Sequence, residues 1–242
     1  MKTTIMWIRS ILFVPFFYVW GLGIATIGLP TLFMPNRITL IVPRIWAYGN
    51  RLLLRVICGI KIEVEGLENL PRENGYLVAA KHQSALETVA FHMLIPNSIY
   101  VMKKSLLYLP VAGWYFWKTG CILIDRSKGT SAMRLMLEKA QKQLKKDLNI
   151  IIFPEGTRMK PGAPTKYNPG VAFLYEKCGV PIVPVALNTG YFWPKNSFRR
   201  YPGTVKFIFM KPLEAGMERR DFLAKLEETI ENKCAEIVPP KV

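Results

Sequence analysis

The sequence predicts an α/β protein whose mixed, largely parallel sheet is flanked by helices and preceded by an N-terminal helical membrane anchor. From residue 61 onward, short apolar runs alternate with longer amphipathic segments, which is the pattern of α/β architecture. Several of these runs are apolar at every position, as in strands covered on both faces of a sheet. The first 60 residues differ, because they contain no Asp or Glu and include a long uncharged stretch. We therefore divide the chain into anchoring helices at 1–60 and an α/β domain at 61–242.

The uncharged stretch lies between Arg9 and Arg37 and is about 27 residues long. A helix of that length crosses a bilayer core of ~30 Å. Aromatic residues crowd its first half, and such side chains favour the interface between membrane and water. Pro15, Pro30 and Pro35 argue against one straight, uninterrupted span.

The next segment carries arginines at near-helical spacing among apolar residues, at Arg44, Arg51 and Arg55. This pattern predicts an amphipathic helix that lies on anionic lipid with its arginines at headgroup level. We favour a two-helix anchor that dips into one leaflet, and a single membrane span is the nearest alternative. A cleaved signal peptide is disfavoured, because no small-x-small cleavage site follows the apolar core.

Seven strands and four helices are predicted in the α/β domain. The strands are predicted at 61–65, 76–80, 99–102, 122–125, 149–153, 182–187 and 205–210. The helices are the segments of helical periodicity at 84–94, 131–148, 169–178 and 221–237. The second of these helices places Met133, Met136 and Ala140 on one face and most of its lysines on the other, so its core-facing side is defined.

The chain is strongly basic, with 33 Lys and Arg against 17 Asp and Glu and a formal net charge of +16. Such a charge attracts anionic partners, such as lipid headgroups, phosphorylated substrates or an acidic carrier protein. We expect no nucleic-acid partner, because the sequence has neither zinc-finger spacing nor an RNP-like run. Two histidines and four widely scattered cysteines predict no metal site.

His82 follows the strand at 76–80 and precedes the helix at 84–94. It is therefore expected at the carboxyl end of a strand, where α/β folds build their sites. Neutral imidazole takes a proton from an alcohol near neutral pH, and a carboxylate on its second nitrogen fixes its tautomer. Glu87 lies about one helical turn further on and can supply that carboxylate. A loop-capping histidine and a glutamate stabilised by the helix N-terminus explain the same residues without chemistry.

The hexapeptide Phe153-Pro-Glu-Gly-Thr-Arg158 follows another buried strand and is more specific. Gly156 allows a sharp turn and a close approach of the backbone to a ligand. Arg158 offers a planar fork of donors that suits phosphate oxygens. Glu155 is placed either to accept hydrogen bonds from a ligand hydroxyl or to hold Arg158. A purely structural turn is the alternative.

Four blocks resemble, in order, the motifs of the membrane-bound glycerolipid acyltransferase family. They lie at 82–87, 103–126, 153–158 and 180–185. The resemblance covers roughly residues 60–210, and the order of the blocks together with the hexapeptide makes it specific.

The resemblance implies roles for the motif residues. His82 would be the general base that deprotonates an acceptor hydroxyl. Glu87 stands where the family usually has aspartate and would orient the histidine. Lys103 would lie near the developing oxyanion or the acceptor phosphate. The implied substrate-binding residues are Arg126, Glu155, Gly156, Thr157 and Arg158.

The resemblance also implies that a catalytic domain at 61–242 acylates the free sn-2 hydroxyl of lysophosphatidic acid to give phosphatidic acid. The donor would be acyl-CoA or acyl-carrier protein, and no cofactor is expected because a thioester is already activated. Anionic membrane lipids are expected partners, at the cytoplasmic face of a bacterial inner membrane. The alternatives are the same transfer to glycerol 3-phosphate or a lyso-aminolipid, a thioesterase that uses water, and a non-catalytic lipid-binding membrane protein.

Overall fold

The computed structural model describes residues 2–73 and 75–240, apart from the side chains of Lys2 and Arg126. Its strands are β1 Ile60–Glu65, β2 Leu77–Ala80, β3 Ser98–Lys103, β4 Ile122–Ile124, β5 Asn149–Ile152, β6 Ile182–Leu187 and β7 Gly203–Phe209. Each coincides with a predicted strand to within a few residues. The buried apolar runs were therefore sufficient to locate the strands.

The α-helices are α1 Lys2–Ile27, α2 Asn36–Thr39, α3 Ile41–Leu53, α4 Leu86–Leu94, α5 Ala112–Thr119, α6 Gly129–Leu144, α7 Pro169–Cys178, α8 Thr189–Phe192 and α9 Arg219–Glu236. Short 3-10 turns lie at Leu29–Phe33, Leu67–Asn69, Lys104–Tyr108 and Arg126–Lys128, and a π-helical turn at Leu54–Cys58. Helix α5 was not predicted, because its 8 residues are too few for a helical period to stand out.

The described strands form a seven-stranded sheet in the order β1-β7-β6-β2-β5-β3-β4. From β6 to β4 every pair is parallel, whereas β7 runs antiparallel to β6 and parallel to β1. The sheet and its flanking helices confirm the predicted α/β class. Strand β2 lies between β5 and β6, so the segments that leave these three strands meet at one edge of the sheet.

Helices α1 and α3 pack against each other, with the rings of Phe17 and Trp46 5.7 Å apart. They cover the α/β domain only in part, because most of α1 faces outward. Phe13 is fully buried and meets Trp193 edge-to-face at 5.5 Å, and the backbone N–H of Arg200 donates to Ser10 Oγ at 2.9 Å. Pro15 is accommodated inside α1, although it removes one helical hydrogen bond. The N-terminal helices thus contact the α/β domain directly.

The outward face of α1 is mostly apolar after Arg9. The segment Thr3–Ile27 is long and apolar enough to cross a membrane, and only 11% of its most apolar window is buried. That low burial distinguishes α1 from the core helix of a soluble protein. Helix α3 is amphipathic as predicted, with Arg44 and Arg51 exposed beside the exposed side chains of Ile45 and Leu52. By its length, composition and low burial, α1 is a candidate for a membrane-associated segment.

Candidate active site

His82 and Glu87 are in direct contact at the carboxyl end of β2. The Nδ1 atom of His82 lies 2.9 Å from Oε1 of Glu87. Glu87 occupies the first turn of α4 and its side chain is fully buried, whereas that of His82 is 18% exposed. The predicted contact is therefore present, and the extra methylene of Glu87 relative to aspartate does not prevent it.

The carboxylate of Glu87 is saturated by short hydrogen bonds. The backbone N–H groups of Gln83 and Ser84 donate to Oε1 at 2.7 and 2.6 Å, and the Thr189 hydroxyl donates to Oε2 at 2.7 Å. These donors hold the carboxylate in one orientation. The carboxylate is positioned to accept a hydrogen bond from Nδ1 of His82, and Nε2 takes no part in this contact.

A stacked aromatic ring and a backbone hydrogen bond also restrain His82. Phe153 stacks on it with ring centroids 4.0 Å apart and planes 13° from parallel. The His82 carbonyl accepts a 2.7 Å hydrogen bond from the N–H of Met159. The loop that follows β5 therefore contacts the histidine that follows β2 on two sides. This contact is expected because neighbouring parallel strands end at the same edge of the sheet.

His82 opens onto a cavity of about 780 Å³ at this edge of the sheet. Its wall includes Lys103 and Lys104 from the end of β3 and Gly156, Thr157 and Arg158 from the loop after β5. Lys103 is exposed and Arg158 half-buried. The sequence-predicted residues Lys103, Gly156, Thr157 and Arg158 are thus brought together with His82.

The remaining predicted binding residues are Arg126 and Glu155. The side chain of Arg126 lies outside the described residues, so its contact with substrate stays a prediction. Glu155 is buried outside the cavity, where its Oε1 lies 2.9 Å from Lys81 Nζ and its Oε2 accepts the N–H of His82 at 2.7 Å. The structure places Glu155 behind the histidine rather than against the cavity.

A smaller apolar cavity of about 260 Å³ adjoins the first and shares Phe153 and Gly156 with it. Its wall is formed mainly by α6 and the start of α7, including Met133, Met136 and Val171. The larger cavity carries more cationic than anionic side chains, with Lys103, Lys104 and Arg158 against Asp125, and the smaller cavity is apolar. Together they suit an amphipathic anion whose reactive centre lies at His82.

Sequence reasoning missed Thr189 and Lys81. Thr189 lies just after β6, and its position at the same sheet edge as His82 is the signal that marks it as a candidate. Lys81 lies next to His82, but nothing in the local sequence predicts that its side chain is buried. In the described parts of the chain, no group of three or more His, Cys, Asp or Glu side chains is arranged to hold a metal ion.

In sequence, the chain resembles known acyltransferases. The sequence model of a family described as "Acyltransferase" matches residues 61–188. The chain is 34% identical to the 1-acyl-sn-glycerol-3-phosphate acyltransferase of Pseudomonas aeruginosa, over 98% of this chain and 94% of that protein. It is 29% identical to the Escherichia coli protein of the same name, over 76% of this chain and 77% of that protein.

The fold also matches a solved structure. The crystal structure of the 1-acyl-sn-glycerophosphate acyltransferase from Thermotoga maritima superimposes with a TM-score of 0.83. The match covers 100% of both chains at 21% sequence identity. At that identity the likeness concerns the fold, including its N-terminal helices.

Proposed function

The chain belongs to the acyltransferase family, and we propose that it moves a fatty acyl group from a thioester donor to the free sn-2 hydroxyl of lysophosphatidic acid. The product would be phosphatidic acid. Two curated relatives that span most of this chain carry the name of that activity. The observation that carries the proposal is the His82–Glu87 pair facing a cationic cavity.

In the proposed reaction, Nε2 of His82 takes the proton of the acceptor hydroxyl as its oxygen attacks the thioester carbonyl. Glu87 holds Nδ1–H and stabilises the imidazolium that forms. The tetrahedral intermediate then collapses, the carbon–sulfur bond breaks, and the leaving thiolate recovers the proton from His82. The ester and the free thiol are the products, and the histidine returns to its initial state. This route needs neither an acyl-enzyme nor a metal.

The cations of the cavity match the acceptor. Lys103, Lys104 and Arg158 lie on the same wall as His82, and a phosphate monoester is the group that such donors bind most strongly. We assign Arg158 to the acceptor phosphate because its guanidinium presents paired donors. Lys103 serves either that phosphate or the oxyanion of the intermediate.

The apolar part of the site matches an acyl chain. The smaller cavity is lined by aliphatic and methionine side chains and adjoins the histidine through Phe153. An apolar outer face on α1 and exposed arginines on α3 are suited to hold the protein at an anionic lipid surface.

The test is acyl transfer by the full chain in detergent or lipid bilayers. Lysophosphatidic acid is offered with an acyl-CoA and, separately, with an acyl-carrier protein. We expect phosphatidic acid from the wild type with at least one donor, and loss of at least 99% of that rate for His82→Ala. His92→Gln is the matched control, because it removes the chain's other histidine and should retain activity.

The outcomes separate the possibilities. A fully active His82→Ala variant would refute the assigned base, and thioester hydrolysis without an acceptor would indicate a thioesterase. Transfer to glycerol 3-phosphate but not to lysophosphatidic acid would change the acceptor and keep the chemistry. Lipid binding without turnover on any donor or acceptor would contradict the enzyme assignment.

A further inference from the structure

A buried ion cluster lies next to His82 but outside the cavity wall. Lys81 extends its ammonium group between two carboxylates, at 2.9 Å from Oε1 of Glu155 and in hydrogen-bond contact with Oε1 of Glu231. The side chains of Lys81 and Glu155 are each 2% exposed, and that of Glu231 is 32% exposed. Tyr167 donates its hydroxyl to Oε1 of Glu231 at 3.0 Å. We call these four residues the rear cluster.

The rear cluster is joined to His82 by two independent connections. Lys81 precedes His82 in the chain, so holding the lysine side chain restrains the histidine backbone. Glu155 also accepts the N–H of His82 at 2.7 Å. A displacement of either group therefore moves the imidazole relative to the cavity.

Glu231 ties the rear cluster to the C-terminal helix. It lies on α9, which is anchored by the fully buried side chains of Phe222, Leu226 and Ile230. These contacts fix the backbone of Glu231 and, through it, the position of the Lys81 ammonium. A residue 150 positions from Lys81 thus restrains the segment that carries the histidine.

The pKa of Lys81 and the pKa of Glu155 each depend on the charge of the other residue. Burial by itself would lower the pKa of Lys81, but the hydrogen bond to Glu231 and the charges of both carboxylates raise the pKa above its ordinary value. Burial raises the pKa of Glu155, and the neighbouring Lys81 and the His82 N–H oppose that rise. Buried ion pairs of this kind add little net stability, since desolvation offsets their attraction. Their geometry, however, is closely restrained.

We propose that Glu231 is a positioning residue for acyl transfer: by holding Lys81 against Glu155, it keeps His82 at the distance that proton removal requires. The proposal rests on the function proposed above for His82. A displacement of about 1 Å, even one caused far from the reacting atoms, can lower the rate about 10²-fold. The members of the rear cluster lie outside the cavity wall, so substrate binding should be spared.

The kinetic test compares Glu231→Gln with Glu228→Gln in the full chain. Glu228 lies on the same helix with its side chain 60% exposed, so it controls for the loss of one carboxylate from α9. We expect Glu231→Gln to lower kcat about tenfold while KM for both substrates changes less than twofold. Glu228→Gln should match the wild type. A kcat within twofold of the wild type for Glu231→Gln, or a loss confined to KM, would overturn the proposal.

A second readout does not depend on turnover. Deuterium uptake is followed for the peptide that spans 80–88, which contains the His82 N–H bonded to Glu155. Glu231→Gln should exchange this amide at least fivefold faster than both the wild type and Glu228→Gln. If the wild type shows no acyl transfer but Glu231→Gln still exchanges this amide faster, Glu231 positions His82 and the proposed reaction is refuted. Unchanged exchange would overturn the positioning role, whatever the activity.

Discussion

Thr189 Oγ1 donates a 2.7 Å hydrogen bond to Oε2 of Glu87, across 102 positions of sequence. Both residues are fully buried. Glu87 already accepts two backbone N–H groups and His82 on its other oxygen. The threonine therefore fixes the rotation of the carboxylate and, through it, the imidazole plane.

Replacing Thr189 should weaken catalysis without abolishing it. Thr189→Val keeps the shape of the side chain but removes the donor to a buried carboxylate, which costs about 1–3 kcal/mol of folding stability. We expect kcat to fall roughly three- to tenfold, with KM unchanged, while Thr189→Ser stays near the wild type. Steady-state kinetics and thermal unfolding measure both effects. Wild-type kcat in the valine variant would show that the hydroxyl has no part in orienting Glu87.

Glu87 itself should matter far more. Glu87→Gln leaves an amide oxygen for the N–H groups of Gln83 and Ser84, but it removes the charge that stabilises an imidazolium. We expect kcat to fall at least about 10²-fold, and Glu87→Asp to lose less because the carboxylate is retained. Glu138→Gln, on the exposed side of α6, is the control for a lost carboxylate. A Glu87→Gln variant with more than a tenth of wild-type kcat would contradict an electrostatic role.

The contact between His82 and Glu87 could be predicted from the sequence, because it joins two residues that are close together in the chain. His82 follows a strand and Glu87, five positions later, lies in the first turn of the next helix, so their closeness in the chain was enough to predict the contact. Most strands could be located for a similar reason, since they are compact apolar runs such as 149–153. The assignment of catalytic roles to these residues remains a proposal.

The distant part of the site could not be predicted. The contacts of Thr189 with Glu87 and of Glu231 with Lys81 depend on strand order and helix packing, which periodicity does not encode. Glu155 shows the same limit within a motif, because adjacent residues of a tight turn can point to opposite sides. Its neighbours Gly156 and Arg158 line the cavity, whereas Glu155 packs behind His82.

Arg158 should govern affinity for the acceptor. Arg158→Ala removes a cation from the cavity wall, and we expect KM for lysophosphatidic acid to rise about 10- to 100-fold with a smaller change in kcat. Arg158→Lys should recover part of that affinity, because it restores charge without the paired donors. Initial rates over a range of acceptor concentrations provide the measurement. Arg220→Ala, which removes an exposed arginine of α9, should have no effect on KM.

His92 should make the folded protein sensitive to acid. It lies on α4 with its ring edge-on to Tyr100, at 5.0 Å between centroids. Burial lowers its pKa from the ordinary 6.5 to about 4. Between those two values the unfolded chain binds a proton that the folded protein excludes. The stability associated with neutral His92 is therefore complete above pH 6.5 and is lost progressively as the pH falls toward 4.

The size of this effect can be measured against a variant that lacks the group. A shift of one pKa unit corresponds to about 1.36 kcal/mol, so wild type should lose about 2 kcal/mol more than His92→Gln between pH 7.5 and pH 5. Chemical denaturation in detergent at the two pH values gives the free energies of unfolding. His82 is present in both proteins, so their difference reports His92 alone. Parallel losses in the two proteins would show that His92 takes up its proton in the folded state as readily as in the unfolded chain.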